Sequence, residues 1–174
     1  LVPLLAFASL FVGGCSTMSD AIDSINPFAS SGPKMAKLEA VTPTIDVREQ
    51  WSASAGKAGD YVFRPAVVGD AVFVAARNGE ISKLVDGRRE WTINAGQPLS
   101  AGVGADSRLV VVATGKGEVL AFAASDGQPR WTAKVSSEVL AAPAVGADGV
   151  VVKSGDNRVV LLDAGDGGRK WAYS

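Results

Sequence analysis

"DGRREW" at Asp86–Trp91, "DGQPRW" at Asp126–Trp131 and "DGGRKW" at Asp166–Trp171 are three versions of one hexapeptide, each forty residues after the last. Trp51 extends the series upstream, so Trp51, Trp91, Trp131 and Trp171, all the tryptophans of the chain, stand on one period. A fixed period of this length marks a chain assembled from repeated supersecondary units. Asp-Gly between two apolar runs is a preferred filling of a tight hairpin turn, where both central residues take positive φ and glycine does so without steric cost. Gly87, Gly127 and Gly167 are therefore read as turn residues, with a strand carrying tryptophan after each.

Around the hexapeptide, the first repeat contains four short runs: "VFRPAVV", "AVFVAA", "EISKLV" and "REWTINA". They are separated by Gly69-Asp70, Asn78-Gly79 and Asp86-Gly87. This is the pattern of a four-stranded antiparallel meander. "RLVVVAT" and "GVVVKS" in the later repeats are apolar on successive residues, as strands covered on both faces should be, whereas "GEISKLV" alternates and suits a strand with one face nearer water. Four-stranded units of about forty residues that cover one another face to face are the blades of a β-propeller. The expected fold is all-β, with the propeller part at 41–174. In such a blade a tryptophan early in the outermost strand can wedge into the neighbouring blade, which accounts for the period.

Composition limits the chemistry. The chain of 174 residues is 47% hydrophobic, enough for a core, and its seventeen basic and eighteen acidic residues leave a net charge of −1. Charges are spread without blocks, so the electrostatic footprint of a nucleic-acid binder is missing. With no histidine and one cysteine, a Ser-His-Asp triad, a zinc site of usual His/Cys spacing and an internal disulfide are excluded. "GKGEVLAF" from Gly115 lacks the third glycine and the following helix of a dinucleotide fingerprint, and "GDGGRK" from Gly165 leads into tryptophan and fails as a phosphate loop. Both read as hairpin turns. Asp70, Asp86, Asp126, Asp148, Asp163 and Asp166 fall in turns, where aspartate caps its own backbone. No catalytic residue, metal ligand or cofactor site is assigned. Arg88, Arg89, Arg130, Arg169 and Lys170 precede the tryptophans as a recurrent basic feature, either solvated strand edges that discourage pairing or a partner surface.

The N-terminus reads as an address. Leu1–Val12 carries no charge and has the length of a signal-peptide apolar region, short of the roughly 20 residues of a spanning helix. Gly13 and Gly14 lead into Cys15, and "VGGC" resembles the bacterial lipoprotein signal, with Val12 where leucine is commonest. That resemblance implies a signal peptide at 1–14, cleavage before Cys15, and acylation of its sulfur and new amino group. A secreted protein with a cysteine near its cleavage site is the alternative. Ser16 in place of aspartate implies, within that family, export to the outer membrane. Residues 15–40, rich in serine and alanine with Pro27 and Gly32-Pro33, read as a flexible tether holding at most a short helix between Met18 and Ile25.

The third repeat, "ADGVVVKSGDNRVVLLDAGDGGRKW", resembles the pyrroloquinoline-quinone-type propeller repeat: Asp-Gly, a β-branched strand, a short turn, a strand ending in Leu-Asp-Ala, then Gly and Trp. The first and second repeats keep "NGEISKL…DGRREW" and "GKGEVLAFAASDGQPRW", and the likeness runs from Val41 to the end. Two exported bacterial families carry such repeats. With its lipoprotein cysteine, short tether and compact blades, the chain looks like the outer-membrane protein assembly factor B family. That resemblance implies a non-enzymatic, lipid-anchored scaffold on the periplasmic face of the outer membrane, partnered by a barrel-bearing assembly protein and companion lipoproteins. The alternative is a propeller fragment of a periplasmic quinone-dependent dehydrogenase, a family that also uses calcium, a catalytic aspartate and adjacent cysteines.

The family closes about eight blades by pairing a strand near the N-terminus with strands from the C-terminus. "REQWSAS" at Arg48–Ser54 would then be the outer strand of a last blade. Three blades do not close a ring, so the chain is expected to be part of a longer propeller and to be unstable or self-associating alone. Family partner contacts are ascribed to loops beyond the third blade, so no contact residue carries over.

Overall fold

The computed structural model describes Leu38 and residues 44–174. The chain divides into two compact units, Leu1–Asp46 and Val47–Ser174, and the sheets all belong to the second. The expected signal segment, the Met18–Ile25 helix, Cys15 and nearly all of the tether lie outside the described residues.

Among the described residues every sheet is a four-stranded antiparallel meander. Blade I comprises β1 (Ala66–Val68), β2 (Ala71–Ala75), β3 (Glu80–Val85) and β4 (Arg88–Asn94). Blade II comprises β5 (Gly104–Ala105), β6 (Leu109–Ala113), β7 (Glu118–Ala123) and β8 (Pro129–Lys134). Blade III comprises β9 (Ala144–Gly146), β10 (Gly149–Lys153), β11 (Val159–Leu162) and β12 (Arg169–Tyr173). Short strands β1, β5 and β9 lie side by side, and β4, β8 and β12 are the outer edges. This is the expected propeller arrangement.

The packing explains the unbroken apolar run of β6, all five of whose residues are buried. Val110 and Val112 meet Phe73 and Ile81 of blade I, while Leu109, Val111 and Ala113 meet Val150, Val152 and Leu162 of blade III. Alternate side chains of one strand thus enter two different cores. At about 1.5–3 kcal/mol for each fully buried aliphatic side chain, these two cores are the main force between blades. The β4–β5 connection stitches the same joint with hydrogen bonds. Leu99 N–H donates to Arg77 O at 3.1 Å and Ser100 N–H to Ala113 O at 3.0 Å. The fully buried Ser100 hydroxyl donates to Val139 O at 2.6 Å, so its burial leaves no unmet polar group.

Three local details differ from the sequence expectation. β1 begins at Ala66, not Val62, because Pro65 has no N–H to give and Arg64 O accepts from Val103 N–H of blade II. Residues 48–54 carry no assigned strand. Of the three Asp-Gly turns only the first has both residues at positive φ, Asp86 at 51° and Gly87 at 73°. Gly127 and Gly167 are at 73° and 75°, but Asp126 and Asp166 are not in that region. The later hairpins use longer loops, in which Gly127 N–H donates to Ala123 O and Gly167 N–H to Asp163 O. There aspartate caps the turn instead: Asp126 accepts from Gln128 N–H at 3.0 Å and Asp166 from Gly168 N–H at 2.7 Å.

Each outer strand also contains a β-bulge immediately before its tryptophan. Lys83 pairs with Trp91 and Leu84 with Arg89, leaving Glu90 extra; Arg130 and Lys170 are the extra residues of β8 and β12. A bulge re-aims the following side chain, and here that side chain is the tryptophan. Trp91 and Trp131 turn toward the next blade, where Nε1–H donates to Ala124 O at 3.3 Å and to Ala164 O at 2.9 Å. In the intact protein Trp131→Ala is expected to lower stability by roughly 3–5 kcal/mol. Trp131→Phe, which keeps a ring and removes the donor, should cost about 1–2 kcal/mol. Equilibrium denaturation checks both values, and an unchanged midpoint for the alanine variant contradicts the wedge.

Candidate functional site

The sequence markers come together as pairs. A methyl group placed on Gly167 would lie 2.6 Å from Cε3 of Trp131, and one on Gly127 would lie 3.3 Å from Cε3 of Trp91 and 2.8 Å from Cγ2 of Ile93. On Gly87 it would meet Cβ and Cγ of Trp51 at 3.0 Å, although Trp51 stands outside any strand. The glycines are therefore fixed twice, by positive φ and by an indole from the preceding repeat. Trp131 is 9% exposed, whereas Trp51 is 40% and Trp171 46% exposed, since neither is enclosed between two described blades. Phe73 braces Trp91 with ring centroids 6.0 Å apart.

The surface between blades is cut by shallow hollows. One of about 310 Å³ is lined by Tyr61, Arg77, Gln97, Thr114 and Lys116. Here Arg77 stacks 4.4 Å over Tyr61 and donates to Leu99 O at 2.6 Å. At the seam between blades II and III, one hollow of about 260 Å³ is lined by Lys134, Ser136, Val160, Arg158, Arg169 and Ala172. A second, of about 240 Å³, is lined by Arg108, Arg130 and Gly165. Among the described residues no group of three or more His, Cys, Asp or Glu could hold a metal ion. Gly115–Gly117 and Gly165–Gly167 sit in hairpin turns, as expected from the sequence.

Carboxylates in the turns are engaged by the backbone and by cations. Burial pushes the Asp106 carboxyl up, but the amides of Leu109 and Arg108 and the Arg108 guanidinium outweigh it and hold the group below the ordinary range. Hydrogen bonding by Lys170, then by Gly165 N–H, lowers Asp163. The hydroxyls of Ser154 and Ser136 lower Asp156. Of the basic residues before the tryptophans, Arg89 bridges Glu80 at 3.0 Å and reaches Ser54 O, and Lys170 bridges Asp163 at 2.9 Å and reaches Asp148 O. Both are structural ties. Arg88, Arg130 and Arg169 remain exposed. What this geometry offers is a rigid body with exposed edge strands and charged seams for docking.

Fold and joints together define a β-propeller of pyrroloquinoline-quinone-type repeats. Residues 77–174, more than half of the chain, match the family model described as outer membrane protein assembly factor BamB. The chain belongs to that family. A BamB of Burkholderia pseudomallei is 40% identical over 116 residues, covering 66% of this chain and 28% of that relative's length. The crystal structure of BamB from Moraxella catarrhalis superposes with a TM-score of 0.61 at 28% identity, covering 66% of this chain and 35% of that one. A europium-containing methanol dehydrogenase shares the fold at a TM-score of 0.53 and 21% identity, over 62% of this chain and 23% of that one.

The sequence reading missed the bulges and the charge pattern of the seams. A signal for the bulge existed in the constant four residues from turn glycine to tryptophan, which two-residue alternation alone does not explain.

Because Asp106 is held below its unfolded value, its ionisation stabilises the fold above the ordinary pKa of about 3.9. That contribution is lost as pH falls through the lower folded value. Asp106→Asn should therefore cost about 0.5 kcal/mol at neutral pH, since the Arg108 partner is more than half exposed to solvent. Melting curves of the two proteins should converge in acid; a gap that widens there contradicts the assignment.

Proposed function

We propose that the chain is the N-terminal part of a non-enzymatic scaffold that aids assembly of β-barrel proteins into the outer membrane. The observation carrying this reading is the match of residues 77–174, nearly all of the three blades, to an assembly-factor family. A rigid body of short-looped blades suits such a role, because it presents edges and seams without spending ordering entropy on each encounter. In this reading residues 1–14 are a signal peptide and Cys15 is acylated. Residues 15–40 tether the propeller to the periplasmic face of the outer membrane. Several acyl chains on one residue suffice to hold it there, since each buried methylene contributes about 0.8 kcal/mol. The partners are a barrel-bearing assembly protein of the outer membrane and its companion lipoproteins.

Co-purification of the full-length protein from mildly solubilised outer membranes tests this. A large outer-membrane barrel protein and companion lipoproteins should accompany it, and Cys15→Ala should move it to the soluble fraction. Recovery of the protein alone with bound quinone and calcium-dependent dye reduction would overturn the reading in favour of a dehydrogenase propeller.

A further inference from the structure

The two blade seams have opposite charge at structurally equivalent positions. Strand register makes Asp70 of blade I equivalent to Arg108 of blade II, and Glu118 of blade II equivalent to Arg158 of blade III. The bulge residue is Glu90 in β4 and Arg130 in β8, and the outer-strand position opposite the last β7 or β11 pair is Pro129 in β8 and Arg169 in β12. The seam between blades I and II therefore carries Asp70, Glu90 and Glu118. One of its cations, Lys83, is tied to Glu90 at 2.7 Å, and Arg77 and Lys116 line another hollow between the same blades. The seam between blades II and III carries Arg108, Arg130, Arg158 and Arg169. A repeat that only had to fold would not require this inversion, since both seams close with the same indole–glycine contact.

Within the basic seam the cations are unequally engaged. Arg108 bridges Asp106 at 2.9 Å and reaches Gly146 O of blade III at 3.4 Å. Arg158 stands 3.6 Å from Asp156, and Lys134 gives its ammonium to Lys116 O. Arg130 and Arg169 are exposed and have no partner among the described residues. Val160 and Ala172 line one hollow with Arg158 and Arg169, and Arg130 lines the neighbouring hollow with Arg108. Arg158 precedes β11, whose Val159 pairs with Tyr173, so it lies at the opposite end of β12 from Arg169. Their backbone positions are thus separated by a strand's length, roughly 15 Å at about 3.3 Å per residue, and the two side chains line one hollow from its two ends. A phosphate in that hollow would engage Arg158 and Arg169 but leave Arg108 and Arg130, which line the neighbouring hollow, unused. Cations strung along an exposed edge strand fit an extended chain with several carboxylates, whose backbone can pair with the free edge of β12.

We propose that the rim groove between β8 and β12 binds a short extended acidic segment of a partner protein, with Arg130 and Arg169 at one end and Arg158 at the other. This does not rest on the assembly role. The test is fluorescence anisotropy on the full-length protein, with a labelled peptide of alternating Glu and Val and a Lys/Val peptide as control. The acidic peptide should bind, weaken with salt, and lose at least about tenfold in affinity in the Arg130→Glu/Arg169→Glu protein. Arg88→Glu, a single charge reversal on blade I, should alter it less than about twofold. Should the reversal variant fail to fold by circular dichroism, Arg130→Gln/Arg169→Gln gives the test with an expected intermediate loss. No binding of the acidic peptide, equal weakening by Arg88→Glu, or undiminished binding in the folded double variants would overturn the proposal. So would displacement by inorganic phosphate at matched ionic strength, or by phosphatidylglycerol vesicles, each pointing to a phosphate or lipid headgroup as occupant.

Discussion

The apolar cores hold neighbouring blades together, but the way one blade seats on the next depends on one contact, the indole of each repeat pressed against the turn glycine of the next. An antiparallel meander buries only part of its apolar surface by itself, and stacking a neighbour on it supplies the rest. The stacking needs a fixed rotation from blade to blade, and a large rigid side chain at the rim sets it. Trp91 and Trp131 are held at both ends: a bulge aims the ring and a carbonyl of the next blade accepts its N–H. The receiving surface is a glycine because any β-carbon would occupy the place of the ring. One interaction therefore fixes two of the repeating residue types.

That constraint is why much of the fold was legible from residues alone. A period in the largest side chain, with Asp-Gly at constant offset, gives blade length, strand number and the direction of the wedge. The unbroken apolar β6 announces burial on both faces. Less legible were features that several chemistries satisfy. The bulge residue is Glu90, Arg130 or Lys170, so no residue type betrays it. Turn geometry also varies beneath a constant dipeptide, because positive φ at the aspartate is needed only in the two-residue turn at Asp86-Gly87.

The seams show a subtler limit. Stacking the repeats on their tryptophans sets Asp70 against Val110, whereas the strand ladder makes Arg108 its equivalent. The longer loop between β7 and β8 shifts the strands before it relative to those after it. Of the seam equivalences, Glu90 with Arg130, Glu118 with Arg158 and Pro129 with Arg169 stand forty residues apart and are visible in the sequence, whereas Asp70 with Arg108 is visible only through the register. The same blades that are interchangeable as packing units are thus individual as surfaces, which is how a repeat protein can acquire a specific binding face without altering its joints.

The most direct test of the joint is a double-mutant cycle between Trp131 and Gly167 in the intact protein. Gly167→Ala alone should suffer both the positive-φ strain and the collision with the indole, while in a Trp131→Ala background only the strain, about 1 kcal/mol, should remain. A coupling of at least about 1 kcal/mol is expected; costs that add within about 0.5 kcal/mol would show that indole and glycine do not sense each other, and the joint would have to lie elsewhere.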